Sequence, residues 1–101
     1  MRYTEFNKFI INKLKIIIMK LIKVYSKTCG PCKVLEKNLI ESGIQYDSVD
    51  IASDEGDEIV DKYNIRNVPT LLLVDDNGTL INKHVGILNS EEIKKFYNEI
   101  N

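Results

Sequence analysis

Apolar and polar positions divide the chain into an N-terminal segment and seven further elements. Residues 2–18 place most of their apolar side chains three or four positions apart, which is the spacing of an amphipathic helix. From Met19 the pattern changes, and it predicts the order strand, helix, strand, helix, strand, strand, helix. We therefore expect a helical extension over residues 1–18 and one domain over residues 19–101. An internal start at Met19 is also compatible with this pattern.

The predicted helices have recognisable ends. Gly43 follows the first helix, and glycine commonly closes helices. The second helix is expected over Ser53–Tyr63, because acidic residues crowd its first turns, where the helix dipole favours negative charge. Asn89 or Ser90 caps the last helix, and Glu92 stands three residues after Asn89 in the manner of a capping box.

The strand signals indicate a four-stranded sheet. Residues 70–74 are a short apolar run, which is typical of a strand that is buried on both faces. Asn77-Gly78 then favours a hairpin to a strand over residues 80–85. Connections through helices predict that the first three strands run parallel with right-handed crossovers, while the hairpin makes the last strand antiparallel. The fold class that follows is α/β, with a mixed sheet flanked by helices.

Length and charge narrow the class of protein. The chain has 101 residues, 44% of them hydrophobic and 29% charged, which indicates one soluble globular domain. A net charge of -1 gives no reason to expect nucleic acid or acidic lipid as a partner. The uninterrupted apolar run Ile16–Met19 is too short for a signal peptide or a membrane span. We therefore expect a cytoplasmic protein without a membrane partner.

The candidate chemistry lies in Cys29-Gly30-Pro31-Cys32, which holds both cysteines of the chain. A strand-like run precedes this segment and a helix-like run follows it, so one thiol is expected at a helix start and the other one turn on. Pro31 suits a first helical turn. The helix N-terminus and the charges of Lys27 and Lys33 are expected to lower the pKa of Cys29, and the thiolate is the attacking species in disulfide exchange.

Three separated motifs resemble the thioredoxin family, and the resemblance covers residues 19–101. They are Cys29-Gly30-Pro31-Cys32-Lys33, Ile65-Arg66-Asn67-Val68-Pro69-Thr70-Leu71 and Val85-Gly86. The resemblance implies a thioredoxin-like fold and a thiol–disulfide oxidoreductase that reduces protein disulfides. It implies no cofactor beyond a reversible Cys29–Cys32 disulfide. The implied partners are disulfide-containing substrate proteins and a thioredoxin reductase or an equivalent electron donor, and a monomer is expected.

The same resemblance implies roles for single residues. Cys29 is similar to the exposed attacking cysteine of the family, and Cys32 to the buried cysteine that resolves the mixed disulfide. Pro69 matches a cis-proline that lies against the dithiol. The positions expected to contact substrate are Thr28, Gly30, Pro31, Val68, Pro69 and Gly86.

Two positions depart from the family pattern. Thr28 stands where the family usually has a tryptophan, which is expected to alter substrate preference. Lys23 stands where the family usually has a buried aspartate that assists proton transfer at the resolving cysteine. A lysine that points inward is costly to bury as a cation. If neutral it can take a proton, and if charged it can stabilise a thiolate.

Two other classes of function stay open from the residues. A thioredoxin-like binding module without turnover is one, because a fold does not fix a function. Metal or iron–sulfur binding by a dimer is the other, with Cys29 and Cys32 of two chains as ligands. Within one chain the two cysteines and the distant His84 are fewer than the four ligands of structural zinc. We interpret His84 as an ordinary strand residue, and no metal site is expected.

Overall fold

Four strands and three helices make up residues 19–98, the part of the chain that the computed structural model describes. The predicted helical extension over residues 1–18 lies outside that part. The predicted order of elements is confirmed. The elements are β1 (Met19–Tyr25), α1 (Gly30–Ser42), β2 (Asp47–Asp50), α2 (Asp54–Lys62), β3 (Thr70–Asp75), β4 (Leu80–Val85) and α3 (Ser90–Asn98).

The strands form one mixed sheet in the order β2-β1-β3-β4. β1 and β2 are parallel, whereas β3 is antiparallel to β1 and β4 is antiparallel to β3. The prediction that the first three strands are all parallel is therefore wrong for β3.

The segment between α2 and β3 explains this difference. At the end of α2 the Tyr63 hydroxyl donates a hydrogen bond to the carbonyl of Gly78, in the β3–β4 turn. β3 nevertheless starts at the opposite end of the sheet, where Thr70 pairs with Val24. Residues 64–69 must therefore cross the sheet a second time, and six extended residues reach about 20 Å. This second crossing reverses the direction of β3.

The sheet separates two apolar clusters. One lies under α1 and α3 and consists of Leu21, Leu35, Leu39, Leu71, Leu73, Ile93 and Phe96. The other faces α2 and consists of Ile22, Val24, Val49, Ile65, Leu72 and Val74. Successive residues of β1 and β3 alternate between the two clusters, as the pleat of a strand requires. The prediction that β3 is buried on both faces is confirmed.

The residues predicted to end α1 and to cap α3 do so in the structure. Gly43 ends α1 with a positive φ of 75°, a conformation that glycine adopts without steric cost. Asn89 and Glu92 form a reciprocal capping box at α3, with N–H to side-chain oxygen distances of 2.8 and 2.9 Å. None of the helices in residues 19–98 combines the length and the apolar composition that crossing a membrane requires.

Candidate active site

The end of β1 and the start of α1 hold the two cysteines in bonding contact. The Cys29 N–H donates to the Ser26 carbonyl at 3.1 Å, which turns the chain between the strand and the helix. Cys29 is the N-cap of α1, and Cys32 lies in its first turn. The two residues form a disulfide, with their Cα atoms 5.3 Å apart. The two cysteines, which their spacing predicted to be a dithiol site, are therefore close enough to form a disulfide.

The two sulfurs differ in their access to solvent. Cys29 is partly exposed, whereas Cys32 lies on the buried face of α1 and is 3% exposed. The Cys32 N–H donates to the Cys29 Sγ at 3.1 Å. A charged sulfur at this position would gain from that donor and from the positive end of the helix dipole. Cys29 is thus the sulfur that an incoming disulfide can reach, and Cys32 is reachable through Cys29.

The charged residues around the dithiol come from different parts of the chain. No acidic residue occupies the first turn of α1, and Lys33 is exposed there. Lys27 lies 3.8 Å from the carboxylate of Asp50, which belongs to the end of β2. The sequence places these two residues far apart, so this carboxylate could not be anticipated beside the site.

The predicted cis-proline segment lies at the same end of the sheet. The Val68–Pro69 peptide bond is cis. The next residue, Thr70, pairs with Val24, so Pro69 is level with the end of β1, from which the cysteine loop departs. Gly86 donates its N–H to the Pro69 carbonyl at 2.9 Å. Its φ of 107° lies in a region that favours glycine.

The six predicted contact positions therefore fall into two groups at one end of the sheet. Thr28, Gly30 and Pro31 are exposed around the disulfide. Val68 is partly exposed and Pro69 is buried, and the Gly86 N–H is hydrogen-bonded to the Pro69 carbonyl.

Two exposed apolar side chains flank Gly86, namely Val85 and Ile87, which are 50% and 44% exposed. Val85 was noted only as part of the Val85-Gly86 motif and Ile87 was not predicted, although the position of both residues beside Gly86 is a signal that could have found them.

The lysine that departs from the family pattern points into the protein. The Lys23 side chain is 4% exposed, and its Nζ lies 3.4 Å from Oε2 of Glu36 on α1. The same Nζ lies over two aromatic rings, 4.7 Å from the centroid of Tyr25 and 5.7 Å from that of Tyr46. Burial and, second, the charge of Glu36 raise the pKa of Tyr46 above its ordinary value. Glu36 and Tyr46 were not predicted as partners of Lys23, because they are distant from it in the sequence.

A cavity of about 310 Å³ connects this cluster with the dithiol, since Lys23, Glu36 and Cys32 all line it. His84, by contrast, is a partly buried residue of β4 opposite Leu71. Within residues 19–98 no three side chains of His, Cys, Asp or Glu are grouped so that they could hold a metal ion.

Known proteins of one family are similar to this chain over most of its length. The thioredoxin family model matches residues 1–99. A thioredoxin of Bacillus subtilis is 34% identical over 83 residues, which are 78% of this chain and 79% of the relative. A prophage-derived thioredoxin-like protein of the same species, YosR, is 32% identical over 73 residues, or 72% of this chain and 89% of the relative.

Solved structures are similar as well. A mutant thioredoxin from Halobacterium salinarum superposes with a TM-score of 0.69 at 26% identity, covering 89% of this chain and 80% of that chain. The oxidised mitochondrial thioredoxin 3 of Saccharomyces cerevisiae gives a TM-score of 0.65 at 27% identity, covering 96% of this chain and 89% of that chain.

Proposed function

The chain belongs to the thioredoxin family and is a thiol–disulfide oxidoreductase, and from this premise we propose that it reduces protein disulfides with Cys29 as the attacking thiol and Cys32 as the resolving thiol. One observation carries the assignment of these roles. Cys29 is partly exposed at the N-cap of α1, whereas its disulfide partner Cys32 is buried in the first turn. Only Cys29 can therefore meet a sulfur of another protein first.

The reaction has two exchange steps. The Cys29 thiolate attacks one sulfur of the substrate disulfide, the substrate S–S bond breaks, and the leaving thiolate takes a proton from solvent. Cys32 then loses its proton and attacks the Cys29 sulfur, which breaks the mixed disulfide and releases the second substrate thiol. The substrate gains two electrons and two protons, and the protein is left with the Cys29–Cys32 disulfide. This oxidised form is the one in the structure.

We place the substrate chain on the surface between the two groups of contact residues. Thr28, Gly30 and Pro31 are the exposed neighbours of the two cysteines along the chain, and Val68 and the bonded Pro69–Gly86 pair lie at the same end of the sheet. The exposed apolar side chains at 85 and 87 extend this surface. Thr28 offers a short polar side chain there, so large apolar substrate residues gain less contact than a tryptophan would give them.

Turnover requires a donor that returns two electrons to the disulfide. We propose a thioredoxin reductase or an equivalent dithiol donor, in the cytoplasm, where such systems keep thiols reduced. The protein would act there as a monomeric electron carrier between the donor and its substrate proteins.

Serine variants of the two cysteines test the assignment. Insulin, a protein whose chains precipitate when their disulfides are reduced, is incubated with dithiothreitol and each variant, and turbidity is followed. We expect no catalysis from Cys29→Ser. We expect Cys32→Ser to accumulate a mixed disulfide that mass spectrometry detects and excess dithiothreitol removes. A wild-type rate in Cys29→Ser, or a mixed disulfide on Cys32 in that variant, would refute the assignment.

The reduction potential tests the direction of the reaction. A reductant is expected to equilibrate well below the roughly −180 mV of disulfide isomerases, and nearer the roughly −270 mV of thioredoxin. The measurement is equilibration with glutathione or dithiothreitol buffers, read by alkylation of the free thiols. A potential above that of the isomerases would make the protein an oxidant instead.

A further inference from the structure

The second exchange step requires a proton to leave a buried sulfur. Cys32 is 3% exposed, so bulk water has little direct access to its thiol. The cavity of about 310 Å³ beside it is the route by which the proton can leave. Of the side chains in the described part of the chain that line this cavity, Glu36 is the only carboxylate. A thiol that must become a thiolate thus has one acidic neighbour in its cavity.

The helix places Glu36 in position to act on Cys32. The two residues are four positions apart on α1, so their side chains lie on one face, about 5–6 Å apart at Cβ. Side chains on a helix lean toward its N-terminus, which directs Glu36 back over the turn that holds Cys32. Glu36 is also 49% exposed, so it can pass a proton on to solvent.

Lys23 holds this carboxylate in place. Its Nζ lies 3.4 Å from Oε2 of Glu36, and the lysine side chain is 4% exposed. The rings of Tyr25 and Tyr46 lie on the same ammonium group. Because packing and two rings restrict Lys23, the ion pair fixes the position of Glu36 more firmly than an exposed pair would.

We propose that Glu36 accepts the Cys32 proton in the resolving step and that Lys23 is a positioning residue for the Glu36 carboxylate. The inference rests on the proposed function. As the S–H bond of Cys32 breaks, an O–H bond forms on Glu36, and the electron pair of Cys32 attacks the Cys29 sulfur. The mixed disulfide breaks, the substrate leaves as a thiolate, and Glu36 returns the proton to it or to solvent.

Other charged and titratable groups face the same cavity. They are Tyr25 at the end of β1, Lys27 in the following loop and Lys33 on α1, and Lys27 is paired with Asp50 of β2. Tyr46, which precedes β2, keeps its proton because burial and the charge of Glu36 raise its pKa. Among the side chains that line the cavity in residues 19–98, Glu36 supplies the carboxylate oxygens that can accept the Cys32 proton.

Stopped-flow reaction with dithiodipyridine separates the two steps in one trace. This uncharged disulfide releases one thiopyridone when Cys29 attacks and a second when Cys32 resolves the mixed disulfide. In Glu36→Gln we expect the second phase to slow about a hundredfold near neutral pH, the low end of the effect of a general base. The first phase should stay within about twofold, because Cys29 does not use Glu36. The deficit should disappear at alkaline pH, where hydroxide deprotonates Cys32.

The matched control is Glu41→Gln, which makes the same change at an exposed position of α1 outside the cavity. It should leave both phases at the wild-type rates. Lys23→Met should slow the second phase in the same pH range, and it should add nothing in the Lys23→Met/Glu36→Gln double variant. Glu36→Gln leaves the buried Lys23 ammonium without its carboxylate partner. If that variant folds poorly, the double variant still tests the loss of the carboxylate, because it removes the ammonium as well.

The outcomes distinguish this inference from the proposed function. A wild-type second phase in Glu36→Gln, or a deficit that alkaline pH does not remove, would overturn the role of Glu36. A wild-type second phase in Lys23→Met would overturn the positioning role of Lys23. Failure of the proposed function has a different signature, because wild type would then release one thiopyridone and leave the second cysteine unreacted.

Discussion

One added methyl group at Gly56 tests how closely α2 packs on the end of β2. Gly56 is buried in α2. A Cβ at this position would lie 2.8 Å from the Cα and 2.9 Å from the carbonyl carbon of Ile51, and closer still to the carbonyl oxygen of Asp50. All three atoms belong to the backbone, so they cannot move aside as a flexible side chain would. Gly56→Ala must therefore displace α2 or the chain at residues 50–51.

The expected cost follows from two opposing effects. Replacing glycine by alanine inside a helix normally gains about 1 kcal/mol. Overpacking a rigid site costs about 1–3 kcal/mol and occasionally more, and three backbone contacts favour the upper end. We expect a net loss of about 2 kcal/mol in the free energy of unfolding, or a melting temperature lower by about 8–16 °C. Ile51 donates its N–H to the Tyr25 carbonyl at 2.9 Å, so the displacement also reaches the strand end that precedes the dithiol.

Thermal and urea unfolding of the reduced and the oxidised protein measure this loss. Gly30→Ala is the matched control, because no atom lies within 4 Å of its Cβ and its φ is not positive. We expect the control to be unchanged or stabilised by up to about 1 kcal/mol. If Gly56→Ala melts at the wild-type temperature, the packing of α2 against residues 50–51 is not as described.

Three further predictions concern alkaline stability, a helix cap and a strained glycine. Burial and, second, the charge of Glu36 raise the pKa of Tyr46 above 10.0 in the folded protein. The contribution of Tyr46 to the free energy of unfolding is therefore fully present below about pH 10, and it is lost as the pH rises through the folded-state pKa. Tyr46→Phe should lose less stability than wild type over that range in urea titrations, and equal losses would contradict the argument. Asn89→Ala should cost about 1 kcal/mol in urea unfolding, because it removes the oxygen that accepts the Glu92 N–H; an unchanged midpoint would count against the cap. Gly86→Ala should cost about 1–3 kcal/mol, because φ there is 107°, and a melting curve that matches wild type would contradict that strain.

Sequence alone determined the elements and the dithiol, because their signals are local. Helix and strand periods are set by residues a few positions apart, and the capping box at Asn89 and the glycine at 43 act within one turn. The spacing of Cys29 and Cys32 likewise required only a helix start between them to bring the sulfurs together. These features depend little on how the rest of the chain is arranged.

The direction of β3 and the surroundings of Cys32 depend on how the elements pack together. Both faces of β1 are buried, so the alternation of apolar residues gave no sign of which way Lys23 points. Its carboxylate partner comes from α1, and the carboxylate beside Lys27 comes from β2. Ion pairs between separate elements depend on how helices and strands dock, and that docking is a property of the packed core rather than of any short stretch of sequence.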